Sequence, residues 1–195
     1  MDIFESDDSS TPLTSDEKNG LKLKWIMLRS ELNEAEARNI AKAQIWLYSN
    51  KNKDVCSDIF LRELHKRMFD DVWKWAGTYR TSERNIGVVP YQIPLKLMQL
   101  FDDVKFWIEN KTYPNNEIAV RLHHRLVQIH PFPNGNGRVS RLMADLLMEK
   151  LEGRKLYWGN KNLVNVSEVR KAYITALRKA NEGDYSDLLE FTFAE

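Results

Sequence analysis

A chain of 195 residues, 43% hydrophobic and 29% charged, has globular proportions and enough length for one domain with a sizeable core. Its net charge of +1 gives no bulk attraction to nucleic acid or to a membrane surface, and no apolar run approaches the roughly 20 residues that span a bilayer. The single cysteine, Cys56, excludes an internal disulfide framework and suits a reducing compartment, so a cytoplasmic setting is expected.

Residues 1–20 are polar and acidic, with Asp2, Glu5, Asp7, Asp8 and the stretch Ser9-Ser10-Thr11-Pro12. They predict a mobile arm with one or two docking residues, and not a secretory signal. A helix is expected from Asn33, an N-cap with Glu36 three residues on, to about Tyr48, with Ile40, Ala43 and Leu47 at helical spacing. A second should run from about Ser57 to Trp73 on Ile59, Leu61, Leu64, Met68 and Phe69, broken by Ala76-Gly77. Between Thr81 and Pro94, the residues Asn85, Gly87, Pro90 and Pro94 exclude a helix; Ile86-Gly87-Val88-Val89 predict a strand or hairpin arm. A helix then covers about Leu95–Glu109, closed by Tyr113-Pro114-Asn115. Ile118, Leu122, Leu126 and Ile129 form one apolar stripe, and Val139, Leu142, Met143, Leu146, Leu147 and Leu151 another. Two further helices are expected at 166–179 and 185–193. No internal repeat is visible, and no residues have the spacing of a structural zinc site. His65, His123, His124, Trp73, Trp75 and Trp107 read best as packing residues.

The chemistry concentrates between the two striped helices, in His130-Pro131-Phe132-Pro133-Asn134-Gly135-Asn136-Gly137-Arg138-Val139-Ser140-Arg141. Gly135 and Gly137 can take positive φ and leave their amides uncovered, which makes an anion nest. A helix starting near Arg138 adds the positive end of its dipole. Arg138 and Arg141, at i and i+3, can reach one polyphosphate together, and the guanidinium fork pairs two phosphate oxygens. Asn136 can donate to a phosphate or brace the loop. His130 ends the preceding helix, where Pro131 forbids continuation; an imidazole with an unperturbed pKa of about 6.5 is suited to accept a proton near neutrality. Phe132 should anchor the loop to the core.

This string resembles the signature of the Fic family, His-x-Phe-x-(Asp/Glu)-Gly-Asn-Gly-Arg-x-x-Arg. Phe69-Asp70-Asp71-Val72-Trp73-Lys74-Trp75-Ala76-Gly77-Thr78-Tyr79-Arg80 resembles the segment before that family's target-binding flap, and Ala176-Leu177-Arg178 with Gly183-Asp184-Tyr185 its closing segment. The likeness spans roughly residues 57–193. The Pro133-Asn134, Leu32-Asn33-Glu34 and Asn85-Ile86-Gly87 strings are most similar to a subgroup called mobile mystery protein B. The resemblance implies an all-α Fic fold, a helical bundle with a small β-hairpin flap. It implies transfer of AMP from ATP, with Mg²⁺, to a Ser, Thr or Tyr hydroxyl of a target protein. By position, His130 would deprotonate that hydroxyl. Gly135, Asn136 and Gly137 would hold the inner phosphates, and Arg138 and Arg141 the outer ones. Ile86, Gly87, Val88 and Val89 would dock the target as an added strand. Glycine at 137, where the Doc branch carries lysine, favours nucleotidyl over phosphate transfer.

Asn134 stands where the family has its metal-binding carboxylate. A neutral amide oxygen implies weak metal binding, or binding only with ATP. The alternative to an enzyme is therefore a Fic-fold module that binds a nucleotide or protein without turnover; transfer of another group from a different nucleotide is a third reading. Family members carry an inhibitory helix patterned (Ser/Thr)-x-x-x-Glu-(Gly/Asn). Ser30-Glu31-Leu32-Asn33-Glu34-Ala35 fits its first five positions, which nominates Glu34 to pair with Arg141. The expected organisation is an arm over 1–20 and one Fic domain over 21–195, with a helical region at 21–56 that carries the inhibitory candidate and the core at 57–193. A protein target and ATP are the expected partners, with no membrane and no nucleic acid.

Overall fold

The computed structural model describes residues 19–49, 54–158 and 166–192. The arm expected at 1–20 lies outside these, apart from Asn19 and Gly20. Asn19 and Gly20 are helical, and seven further α-helices follow among the described residues: α1 Arg29–Tyr48, α2 Asp58–Phe69, α3 Ile93–Glu109, α4 Asn115–Ile129, α5 Asn136–Glu152, α6 Val166–Asn181 and α7 Ser186–Thr192, with a 3₁₀ turn at Pro90–Gln92. The fold is all-helical, as the periodicities imply. None of its described helices is long and apolar enough to cross a membrane.

α4 and α5 form the central pair. Ile118, Leu122, Leu126 and Ile129 of α4 and Val139, Met143 and Leu147 of α5 are buried in one core. α2 packs on α5, α3 on α4, and α1 on the outer side of α2. α6 and α7 cover the far end of α4, where His123 Nε2 meets the Tyr173 hydroxyl at 2.9 Å and His124 meets the Tyr185 hydroxyl and Asn181 Oδ1, each at 2.9 Å. The two histidines thus fasten the C-terminal helices to α4.

Four expectations are corrected. α1 begins at Arg29, not Asn33, because the capping carboxylate is Glu31: it accepts from the Met27 and Leu28 amides at 2.8 and 3.0 Å. α2 starts as expected, on a Ser57 N-cap bonded to the Phe60 amide, but stops at Phe69. Trp73 is drawn instead into an isolated antiparallel bridge with Leu21, flanked by Lys22 N–H to Val72 O at 2.8 Å and Lys74 N–H to Gly20 O at 3.0 Å. α3 starts two residues before Leu95 and holds Pro94 in its first turn, where a missing N–H costs nothing. The hairpin is absent among the described residues: 81–89 run as bends and irregular backbone, and Val88 N–H bonds the end of α4 at Ile129 O, 3.3 Å.

Candidate active site

α4 is stopped by geometry. His130 is its C-cap in the left-handed region, φ 53° and ψ 60°, because Pro131 disfavours the helical conformation before it. A non-glycine residue there costs about 1–2 kcal/mol. The His130 amide still donates to Leu126 O at 3.0 Å, and its carbonyl accepts from Arg80 Nε at 2.7 Å. Its Nδ1 is buried without a well-formed hydrogen bond, leaving Nε2 as the accessible nitrogen. Burial, first, and the nearby Arg80 and Arg84 hold its pKa below the ordinary histidine value, against an opposing pull from the Val127 carbonyl. The ring is therefore neutral at pH 7 and able to take a proton.

The loop that follows is braced from within and below. Asn136 Nδ2 donates to Phe132 O at 2.8 Å, and the Phe132 amide donates to Asn136 Oδ1 at 2.9 Å. Each end of the Asn136 side chain makes a hydrogen bond within the loop, so the side chain braces it. Phe132 is fully buried and stacks on His65, ring centroids 3.7 Å apart. His65 Nδ1 accepts from the Gly77 amide at 2.9 Å, which leaves Nε2–H to donate to Asn134 O at 3.0 Å. Burial pushes the His65 pKa down to about 3, so the ring is neutral. Gly135 has φ +77°, and a Cβ there would sit 2.6 Å from the Phe69 ring. Only glycine lets the loop lie this close to α2.

α5 starts immediately after, with Gly135 as N-cap and no side-chain cap. Its backbone bonding begins at Val139 N–H to Gly135 O, 3.0 Å, so the Asn136 and Gly137 amides are presented at the positive helix end. The Gly135 amide donates to Asn134 Oδ1 at 2.7 Å. A Cβ at Gly137 would meet only Arg141 Nη1, at 3.5 Å, which places that guanidinium beside the nest. The structure thus brings His130, the Gly135–Gly137 loop and Arg141 together at one helix junction.

Arg138 is already engaged. Its Nη1 bonds Glu36 Oε2 at 2.7 Å, and its guanidinium lies over Phe69, 4.7 Å from the ring centroid. Glu36 is 2% exposed, and its other oxygen accepts from Trp73 Nε1 at 2.5 Å. Glu34 is elsewhere: it pairs with Arg38 at 2.5 Å on an exposed face. The carboxylate that reaches the motif is Glu36, and it meets the first motif arginine. Sequence reading took Glu36 only for a helix cap; its signal was its spacing from Leu32 and Ala43 on what proved to be the buried face. Ile86 and Gly87 are exposed, and Val88 and Val89 half-buried, along the rim beside His130.

Residues 57–148 match the model of the Fic/DOC family, and the chain carries a Fic/DOC family domain. The protein adenylyltransferase fic-1 of Caenorhabditis elegans is 28% identical over 149 residues, 74% of this chain and 28% of that protein. The protein adenylyltransferase Fic of Aedes aegypti is 30% identical over 146 residues, 73% of this chain and 28% of that protein. This chain thus spans under a third of the curated relatives it matches. The solved structure of C. elegans Fic-1 superposes with a TM-score of 0.63 at 27% identity, covering 81% of this chain and 46% of that one. The BepC protein of Bartonella tribocorum, a VirB-translocated effector with bound AMPPNP, superposes with a TM-score of 0.70 over 95% of this chain and 92% of that one. At 18% identity it speaks for the fold.

Proposed function

We propose that this chain is a Fic-type nucleotidyltransferase that moves AMP from ATP to a hydroxyl side chain of a target protein. The observation that carries it is His130, neutral, with Nε2 accessible, beside an uncapped helix N-terminus and Arg141. Relatives named protein adenylyltransferases support the same reaction class. In the reaction the target hydroxyl oxygen attacks the α-phosphorus and its proton passes to His130 Nε2. The bond from that phosphorus to the β-bridging oxygen breaks, and pyrophosphate leaves. The Asn136 and Gly137 amides and Arg141 meet the charge that develops on it. Residues 86–89 are the target-docking rim. Affinity to the mobile mystery protein B subgroup and a cytoplasmic setting belong to the same proposal.

A magnesium ion held by the protein does not fit this loop. Asn134 supplies a neutral oxygen already accepting from the Gly135 amide at 2.7 Å. Magnesium prefers anionic oxygen and readily relies on substrate phosphates. Any Mg²⁺ would therefore ride on the nucleotide's phosphates.

Glu36 on Arg138 favours a second reading, a module that binds without turnover. Incubation with lysate and ATP labelled at the α or γ position separates the two. Label from α alone, lost in His130→Ala, is expected for AMP transfer. Label from γ alone, or α-label that persists in His130→Ala, would refute it; bound ATP with no label supports the module.

A further inference from the structure

Arg80 is 3% exposed, yet among the described residues no carboxylate pairs with it. Its guanidinium donates only to carbonyls: Nε to His130 O at 2.7 Å, Nη1 to Ser82 O at 2.9 Å, and Nη2 to Val88 O and, at 3.4 Å, to Ile129 O. Its own amide donates to Pro131 O at 2.9 Å. Ile129 is the last residue of α4 and His130 its C-cap, where carbonyls lack helical partners and carry the negative end of the dipole. Ser82 and Val88 lie near the two ends of the irregular segment 82–89 that carries the rim. One planar fork therefore joins both ends of the rim to the carbonyl of the base. Lysine, a single point of charge, cannot reach that set of carbonyls at once.

Gly87 makes the contact close. At φ +116° a Cβ would lie 2.5 Å from Arg80 Nη2, 2.8 Å from His130 Cβ and 3.1 Å from Ile129 O. The rim backbone thus rests directly against the residue that carries the base.

The geometry points to Arg80 as a positioning residue that fixes the register of the 82–89 rim to His130, so that a segment laid along the rim presents its hydroxyl at Nε2. This rests on the transfer reading above. Arg80 touches no reacting atom; it acts through the backbone of His130 and through Val88. With no carboxylate paired to it among the described residues, this burial is tolerable only while all three carbonyl-bearing segments hold their places, so the clasp and the ordering of the rim stand or fall together.

The test uses the full chain and two variants. Arg80→Lys keeps the charge and loses the fork. Gly87→Ala keeps Arg80 and pushes the rim away. Three quantities are read: amide hydrogen exchange over 82–89 and over 135–141, ATP dissociation constant by calorimetry, and the rate of label entering lysate protein from α-labelled ATP at saturation. Both variants should speed exchange at 82–89 at least tenfold while 135–141 stays unchanged. ATP affinity should move less than threefold. Label incorporation should fall about 100-fold, the scale expected when a reactant is misplaced by about 1 Å. Unchanged exchange at 82–89 overturns the clasp. So does faster exchange with an unchanged labelling rate, or a labelling loss matched by an equal loss of ATP affinity. If the wild-type chain labels nothing, the transfer reading fails, and exchange at 82–89 alone upholds or overturns the clasp.

Discussion

Replacing Glu36 by glutamine should weaken the fold and strengthen ATP binding in the same protein. Glu36 is 2% exposed and the Arg138 side chain 11%, so this pair is shielded from water and salt. Glutamine preserves the shape and can still accept from Trp73 Nε1. It cannot accept through its amide nitrogen from Arg138 Nη1, and it removes the Glu36 charge from beside that guanidinium. Breaking a buried pair by removing one partner costs about 3–5 kcal/mol; the retained Trp73 bond favours the lower end, about 3 kcal/mol. For a chain of this size each kcal/mol moves Tm by about 2–4 °C, so Tm should fall by roughly 6–12 °C. Urea denaturation should show the midpoint lowered at constant slope. With the Glu36 bond gone, Arg138 can turn that Nη1 to a phosphate. A charge-assisted bond of about 1.5–3 kcal/mol predicts ATP affinity at least about tenfold higher by calorimetry. A stability change under about 0.5 kcal/mol would refute the buried-pair argument. A stability loss with unchanged ATP affinity would make Glu36 a brace and nothing more.

The two motif glycines should separate sharply. Gly135→Ala drives a Cβ into Phe69 at 2.6 Å from a positive φ, and should cost about 2–4 kcal/mol in chemical denaturation, whereas Gly137→Ala meets only Arg141 at 3.5 Å and should cost under about 1 kcal/mol. Acid should destabilise the fold early. Burial holds the His65 pKa at about 3 and that of His123 well below the ordinary value, so from pH 6.5 downward the unfolded chain binds protons that the native one does not. Between pH 6.5 and 5 His65 alone costs about 2 kcal/mol and His123 adds to the loss, measurable by denaturant midpoint against pH. Asp145 works the other way: burial raises its pKa to about 6, so the native state gains a proton as pH falls through that value and recovers about 1 kcal/mol of the loss. Asp145→Asn should therefore steepen the acid loss and raise stability at pH 8, where the buried carboxylate is charged. A profile that flattens instead would contradict the assignment.

The N-terminal helix is where sequence reading went furthest astray, for a physical reason. Its buried face is Leu32, Glu36, Asn39 and Ala43. Half of that stripe is polar, satisfied by Trp73, Arg138, the Arg67 carbonyl and the Asp71 amide, so hydrophobic periodicity could not find it. Glu34 fits a family pattern in the linear sequence, but two residues along a helix is a rotation of about 200°, which puts Glu34 and Glu36 on opposite faces. The rim missed for a related reason. Glycines and prolines exclude a helix, but whether such a segment pairs into a hairpin or lies against its neighbours depends on the buried Arg80 fork.

What the sequence determined alone was whatever lies within a few residues of itself. The helices around the motif follow from apolar spacing, and the His130–Arg141 loop is one continuous run. Its glycines, its proline stop and its helix start act over single turns, so its geometry is local. The tertiary structure decided everything that joins distant segments: Glu36 on Arg138, 102 residues apart, His65 under Asn134, and Arg80 against the end of α4. Such contacts depend on which helix face is buried and which carbonyls are left without partners, and both are settled only when the helices pack.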